Sequence, residues 1–285
     1  MVKYENLLNK NEKKKEYIDN KYNITKDCNC INGFNNIKCK KLYKYMNFKN
    51  YEKEKIELIR DSGMWLSNVN ELNDPFEMYF TIFNDEKRII ENLEVGLEEA
   101  RCLVRKVRND FEKEIEKFKN ITYTSSFSED NKSILMWSHY GYSHTGVCLE
   151  YNLEDILEAG YTLEPVIYTN SIFDIPYYDD KEELKKIIIN STLVKNIDWI
   201  YEQEWRVVDF RQNAGCGYKV NFPKPRKIFL GTNIDPRIEM EIERIGYEKN
   251  IEIDKMFKST IRFELLSETD IDKTAKKMVE IGLGI

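Results

Sequence analysis

The chain has 285 residues, 41% of them hydrophobic and 33% charged, which supplies a packed core and excludes wholesale disorder. A formal net charge of −6 gives no global pull toward nucleic acid, although residues 1–60 carry 15 Lys and Arg against 8 Asp and Glu. Residues 1–20 contain no apolar run of signal-peptide type, no stretch is long enough to span a bilayer, and six cysteines without secretory features read as reduced thiols, so the expectation is a cytoplasmic protein with no membrane partner.

The elements follow in chain order. Residues 3–20 read as a polar helix within an N-terminal extension of 1–40, and Lys13-Lys14-Lys15 reads as a solvated face. Cys28, Cys30 and Cys39 lack a fourth ligand and C-x-x-C spacing, so they read as incidental thiols, with no metal expected. A single α+β domain is expected over 41–285. Its first strand is Lys41–Met46, its first helix covers 50–62 with Gly63 as the stop, and Met64–Ser67 is the second strand. Apolar residues from Ile89 to Phe118 recur at helical spacing and predict a long helical insertion at about 85–119. Strands are expected at Ile121–Phe127, Val147–Tyr151 and Pro165–Tyr168, with a short helix between the last two. Residues 179–197 read as helical. Strands Trp205–Phe210, Lys227–Leu230, Ile251–Met256 and Ile261–Leu266 follow, with a helix over Pro236–Tyr247. Helices come early, strands late, and regular βαβ alternation is missing, so the fold class is α+β, with mixed or split antiparallel sheets and flanking helices. G-x-G-x-x-G and G-x-x-x-x-G-K-[ST] loops are both absent from the sequence.

Three constellations carry the candidate chemistry. In the first, Tyr43, Lys44 and Tyr45 of the opening strand precede the turn Asn73-Asp74-Pro75-Phe76-Glu77. Asn and Asp side chains bond the backbone two residues on and Pro fixes φ, so this turn is either architecture or a loop aiming Asn73, Asp74 and Glu77 into a cleft. The second combines Ser126 and Ser128 with Trp137-Ser138-His139-Tyr140. An indole, an imidazole and a phenol beside small hydroxyls suit stacking on a flat ring and bonding its edges. The two histidines, His139 and His144, are too few for a metal site, and a serine hydrolase lacks its G-x-S-x-G elbow. The third is Glu202-Gln203-Glu204-Trp205-Arg206. Strand alternation puts Glu202, Glu204 and Arg206 on one face and Trp205 and Val207 on the other. Two carboxylates and a guanidinium there form either a surface ion-pair ladder or the floor of a cleft.

The order LYKY, helix, G-x-W-L-S…NDPFE, SFSE…MWSHY…GVCLEY, W-x-Y-E-Q-E-W-R and IFLG resembles, from about Leu42 to Gly231, a bacterial family known as domain of unknown function 2971. A more distant resemblance is to the ADP-ribosyltransferase fold, several of whose bacterial members open with L-Y-[HR]-x-T and end with a glutamate on a late strand. Here Lys44 stands in place of His or Arg, and no threonine follows. This resemblance implies an ADP-ribosyltransferase-like core and NAD as substrate. It makes Glu204, or Glu202, the late glutamate, and together with the three constellations the catalytic candidates are Glu204, Glu202 and His139. Tyr43, Lys44, Tyr45, Asn73, Asp74, Glu77, Ser126, Ser128, Trp137, Ser138, Tyr140 and Arg206 become the NAD-binding candidates. A macromolecular acceptor, protein or nucleic acid, and a role as a toxin or anti-phage effector are further implications. The alternative is a non-catalytic module that binds a nucleotide, a nucleic acid or a protein.

Overall fold

The computed structural model describes residues 2–22, 39–48, 52–82, 96–175 and 189–280. Helix α1 (Val2–Tyr22) precedes strand β1 (Lys41–Met46), helix α2 (Lys53–Arg60) and strand β2 (Gly63–Asn68). A 3₁₀ turn, Val69–Glu71, and strand β3 (Phe80–Ile82) come before the long helix α3 (Leu97–Ile121). Strand β4 (Thr122–Ser128), helix α4 (Ile134–His139), strand β5 (Val147–Asn152) and helix α5 (Leu153–Glu158) follow. Next come the short strands β6 (Leu163–Pro165), β7 (Ile167–Thr169), β8 (Phe173–Ile175) and β9 (Val194–Asn196). A 3₁₀ segment, Ile197–Glu202, enters β10 (Glu204–Phe210), which is followed by β11 (Gly217–Asn221) and β12 (Lys227–Leu230). Helix α6 (Pro236–Lys249), strands β13 (Glu252–Lys258) and β14 (Leu265–Ser267) and helix α7 (Glu268–Glu280) close the described chain.

The fold is α+β, a mostly antiparallel open sheet with flanking helices. The main sheet runs β11-β2-β4-β1-β5-β12-β13-β14, with β10 beside β4 and β6 beside β10. Its β12–β13 pair is parallel, bridged by α6. Strand β4 organises the centre. β10 pairs with it from Thr122 to Ser128, whereas its other edge is divided between β2 at Tyr123 and Thr124 and β1 at Ser128.

One sheet face carries the larger core. Leu42, Leu66, Leu149 and Trp205 pack there with Ile56 and Ile59 of α2, Ile156 of α5 and Ile238, Ile242 and Ile245 of α6. The last three fall at helical spacing, so one stripe of α6 is buried. Asp235 caps that helix by accepting from the Arg237 N–H, Pro236 opens it, and left-handed Asn250 ends it. Each such aliphatic side chain contributes roughly 1.5–3 kcal/mol on burial. On the opposite face Tyr45, Met136, Trp137, Cys148 and Phe229 form a smaller core, beside which the sheet stays open.

Several expectations are revised. Gly63 does not stop α2 through a left-handed backbone; Ser62 takes that conformation (φ 51°). Gly63 is instead a close-approach position, where a Cβ would come within 2.6 Å of Lys219 Cε and 2.8 Å of Leu58 Cδ1. Within the expected helix at 85–119, residues 83–95 lie outside the described set and the described helix starts at Leu97. Within 179–197, residues 179–188 also lie outside it, and 194–196 are strand, paired in parallel with β7. Pro165–Tyr168 is two strands, because the chain changes partner: up to Val166, which donates its N–H to Glu204 O, it follows β10, and from Ile167 it pairs with β9. In Ile261–Leu266 the alternation is misleading. Ile261 and Phe263 project into solvent and strand begins at Leu265. Cys28 and Cys30 lie outside the described residues, and Cys39 is a free, half-buried thiol whose pKa burial pushes up to about 12.

Candidate functional site

Strand register builds the floor of a cavity of about 180 Å³ on the sheet face opposite the larger core. Tyr43 lies opposite Ser128, and Ser128 opposite Glu204, so β1, β4 and β10 present these three residues in one row. One step along, Ser126 lies opposite Arg206. Paired residues share a face and neighbours alternate, so Phe127 and Trp205 turn to the core behind. The expected division of Glu204 and Arg206 from Trp205 and Val207 holds.

Arg206 is buried and its guanidinium is saturated. Nε donates to Glu204 Oε1 at 2.7 Å, and NH2 donates to Glu77 Oε2 at 2.9 Å and Glu204 Oε2 at 3.2 Å. NH1 donates to Glu77 Oε1 and, at 2.5 Å, to Thr192 O. All five N–H groups therefore have acceptors, which leaves none for a ligand. Its part is to hold two carboxylates. The Asn73–Glu77 turn is thus more than architecture, because Asp74 closes it by accepting from the Phe76 N–H and so delivers Glu77 to Arg206. Burial alone would raise the Glu204 pKa, but Arg206 and then Lys195 outweigh it and hold this carboxyl well below the usual carboxylate range.

Glu202 is not on the strand. It ends the 3₁₀ segment, and Gln203 in the left-handed region (φ 46°) turns the chain into β10. The two carboxylates still meet, because Lys195 Nζ lies 2.6 Å from Glu202 Oε2 and 3.3 Å from Glu204 Oε2. Tyr140 Oη donates to Glu202 Oε1 at 2.5 Å, and Asn73 hydrogen-bonds Tyr140. Burial, and then the Glu204 charge, push the Glu202 carboxyl up to about 7. Two neighbouring acids are thereby driven in opposite directions, which divides a fixed charge from a group able to exchange a proton near neutrality.

Lys44 fills the divided edge of β4. Its Nζ donates to Ser125 Oγ at 2.9 Å and Ser126 O at 3.0 Å. Among the described residues it has no ion pair, and burial lowers its pKa to about 8.

Of the candidates named from sequence, the cavity collects Tyr43, Lys44, Tyr45, Asn73, Glu77, Ser126, Ser128, Tyr140, Glu202, Glu204 and Arg206. Four do not line it. Asp74 is buried in its turn. Trp137 is fully buried, edge-on to Tyr45 at 5.3 Å and stacked on His144, with its N–H donated to Asn131 O, so it is core and not a ring-binding wall. Ser138 donates to Ile134 O within its own helix. His139 is exposed, with Nδ1 3.1 Å from Tyr201 Oη. Adjacent residues on a helix point about 100° apart, which is why Trp137, Ser138, His139 and Tyr140 cannot all reach one cavity. His139→Ala is expected to change the turnover of any substrate of this cavity less than about threefold, against the roughly 10²–10⁴-fold loss of a general base. Steady-state kinetics of the folded variant checks this. Leu72 and Met136 also line the cavity and fall within the sequence motifs without being named as site residues, whereas Lys195 was not singled out in sequence at all. Lys195 gave no signal, because a lysine in a helical-looking, lysine-rich stretch reads as surface.

Residues 136–207 match the family model described as Protein of unknown function (DUF2971). Over this segment the chain is similar to that family. The matched segment carries Tyr140, Lys195, Glu202, Glu204 and Arg206, while β1, the 73–77 turn and the serines of β4 lie outside it. The comparisons with curated proteins and with solved structures gave no match. Among the described residues no helix is long and apolar enough to cross a membrane.

Proposed function

We propose that this cavity cleaves the glycosidic bond of NAD and passes ADP-ribose to water or to a macromolecular nucleophile. One observation carries the reading: a buried carboxylate, Glu204, kept charged by Arg206 and Lys195, forms the floor of a cavity walled by Tyr43, Tyr45 and Tyr140. As the bond from ribose C1 to the pyridinium nitrogen breaks, its electron pair goes to the ring and nicotinamide leaves neutral. Positive charge develops on the ribose, where a preorganised carboxylate in a dry site lowers the barrier. Water or an acceptor then bonds C1 and gives its proton to Glu202, whose raised pKa suits it to that step. The cavity is smaller than the roughly 300–1,000 Å³ of sites that enclose a whole drug-sized ligand, so it suits the nicotinamide ring and its sugar.

Wild-type protein is expected to release nicotinamide from NAD, measured by chromatography with NAD alone and with protein or nucleic-acid acceptors. No release under any of these conditions overturns the reading. The pH profile gives a second check. Glu202 must be deprotonated to accept the proton, so the rate should fall as pH drops through about 7. Glu202→Gln should remove that acidic limb; a limb that survives the substitution belongs to another group.

A further inference from the structure

We infer that helix α1 is a positioning element of this site, with Asn11 and Lys14 acting as positioning residues for Glu204; the role assigned to Glu204 rests on the reading above. Sequence alone makes α1 part of a polar extension, and its body is indeed charged. Yet Leu7 and Leu8 pack against Val166, Tyr168 and Ile200, while Tyr17 joins Ile167, Leu193 and Val208. On this docked side Asn11 and Lys14 are each only 3% exposed.

Both polar side chains lead to β10. The Asn11 amide donates to Tyr168 O and accepts from Tyr168 N–H, each at 2.8 Å, as a neighbouring strand would. The Tyr168 hydroxyl then accepts the Glu204 backbone N–H at 2.8 Å. Lys14 Nζ lies 2.7 Å from Glu129 Oε1 and 5.6 Å from the centroid of the Trp205 ring. Glu129 in turn accepts the Trp205 indole N–H at 2.9 Å and donates its own N–H to Gln203 O. Gln203 Oε1 accepts from Lys10 at 2.8 Å. The helix therefore brackets the left-handed Gln203, a conformation uncommon for a non-glycine residue, which sets the angle between Glu202 and Glu204. None of these α1 side chains lines the cavity, so their effect passes through the turn. A carboxylate displaced by about 1 Å loses on the order of 10²-fold in rate, so loosening this bracket acts on turnover more than on binding.

The test uses the full chain with Lys14→Met and Asn11→Ala, read by hydrogen–deuterium exchange and by nicotinamide release. Exchange over 203–206 is expected to rise at least about fivefold while β12 and β13 keep wild-type protection. The kcat is expected to fall about tenfold with KM within about twofold, and Lys14→Arg should restore most of it. Unchanged exchange over 203–206, an equal rise across the whole sheet, or an unchanged kcat in an active protein each overturns the inference. Should Lys14→Met fail to fold, Asn11→Asp, which removes the donor and keeps the acceptor, gives the same readout. If wild type releases no nicotinamide, the NAD reading fails, and exchange over 203–206 still decides whether α1 holds the turn.

Discussion

Glu204→Gln is expected to abolish nicotinamide release in a protein that still folds. The substitution keeps the shape of the side chain and removes its charge. Removing one preorganised group that faces developing charge costs about 10²–10³-fold in kcat, roughly 2.7–4 kcal/mol. Binding of NAD should change little, because the charge acts on the transition state, so the loss should appear in kcat with KM near wild type. Arg206 keeps its two bonds to Glu77 and one to Thr192 O, and Lys195 keeps Glu202. The new amide N–H₂, however, meets donors on Lys195 or Arg206, so a stability loss of about 1–3 kcal/mol accompanies the change. A thermal melt showing a folded variant is the control. A folded Glu204→Gln protein that retains more than about a tenth of wild-type release would sink the assignment.

Arg206→Met is expected to be among the most damaging single substitutions for stability. The methionine fills much of the stem volume and withdraws the partner of two buried carboxylates, Glu77 and Glu204. Breaking a buried ion pair by removing one member costs about 3–5 kcal/mol, because the remaining charge is uncompensated. Urea unfolding should show a lower midpoint with an unchanged slope. The pH dependence follows from the sign of the Glu204 shift. In the wild type this carboxyl is depressed, so its contribution is present above the unfolded glutamate pKa of about 4.3 and is lost as pH falls through the folded value. In the variant Glu204 loses the partner that most strongly holds it ionised, so burial favours its protonation. The stability gap between the two proteins should therefore be widest near neutral pH and narrow in acid. Arg206→Lys should rescue little, because three ammonium hydrogens cannot replace five guanidinium N–H groups set among three acceptor residues. A midpoint unchanged in Arg206→Met would show that the network contributes no net stability.

The strands and helices that frame the cavity were readable from local pattern. Apolar alternation marks β1, β4, β5 and β10, helical spacing marks α6, and period-2 alternation on β10 separates Glu204 and Arg206 from Trp205 and Val207. The 134–139 and 268–280 helices passed unread, since the first has barely more than one turn and the second is dominated by polar residues. Within the site, Tyr43, Ser128 and Glu204 belong to motifs visible in the sequence, but their alignment in one row depends on strand register, which couples residues as far apart as β1 and β10.

By itself, the sequence determined the fold class, the cast of tyrosines, serines and carboxylates, and the face that β10 turns to the cavity. These depend on side-chain period and on local backbone preference, which act over a few residues. Only the tertiary structure decided which members of the cast meet. It joined Glu77 to Arg206 across 129 residues, brought Lys195 between two acids, buried Trp137, left His139 in solvent and seated α1 behind the turn from Glu202 to Glu204. The physical reason is that desolvation and ion pairing act through space. A charge earns its role from what surrounds it once water is excluded, and sequence spacing carries no record of that neighbourhood.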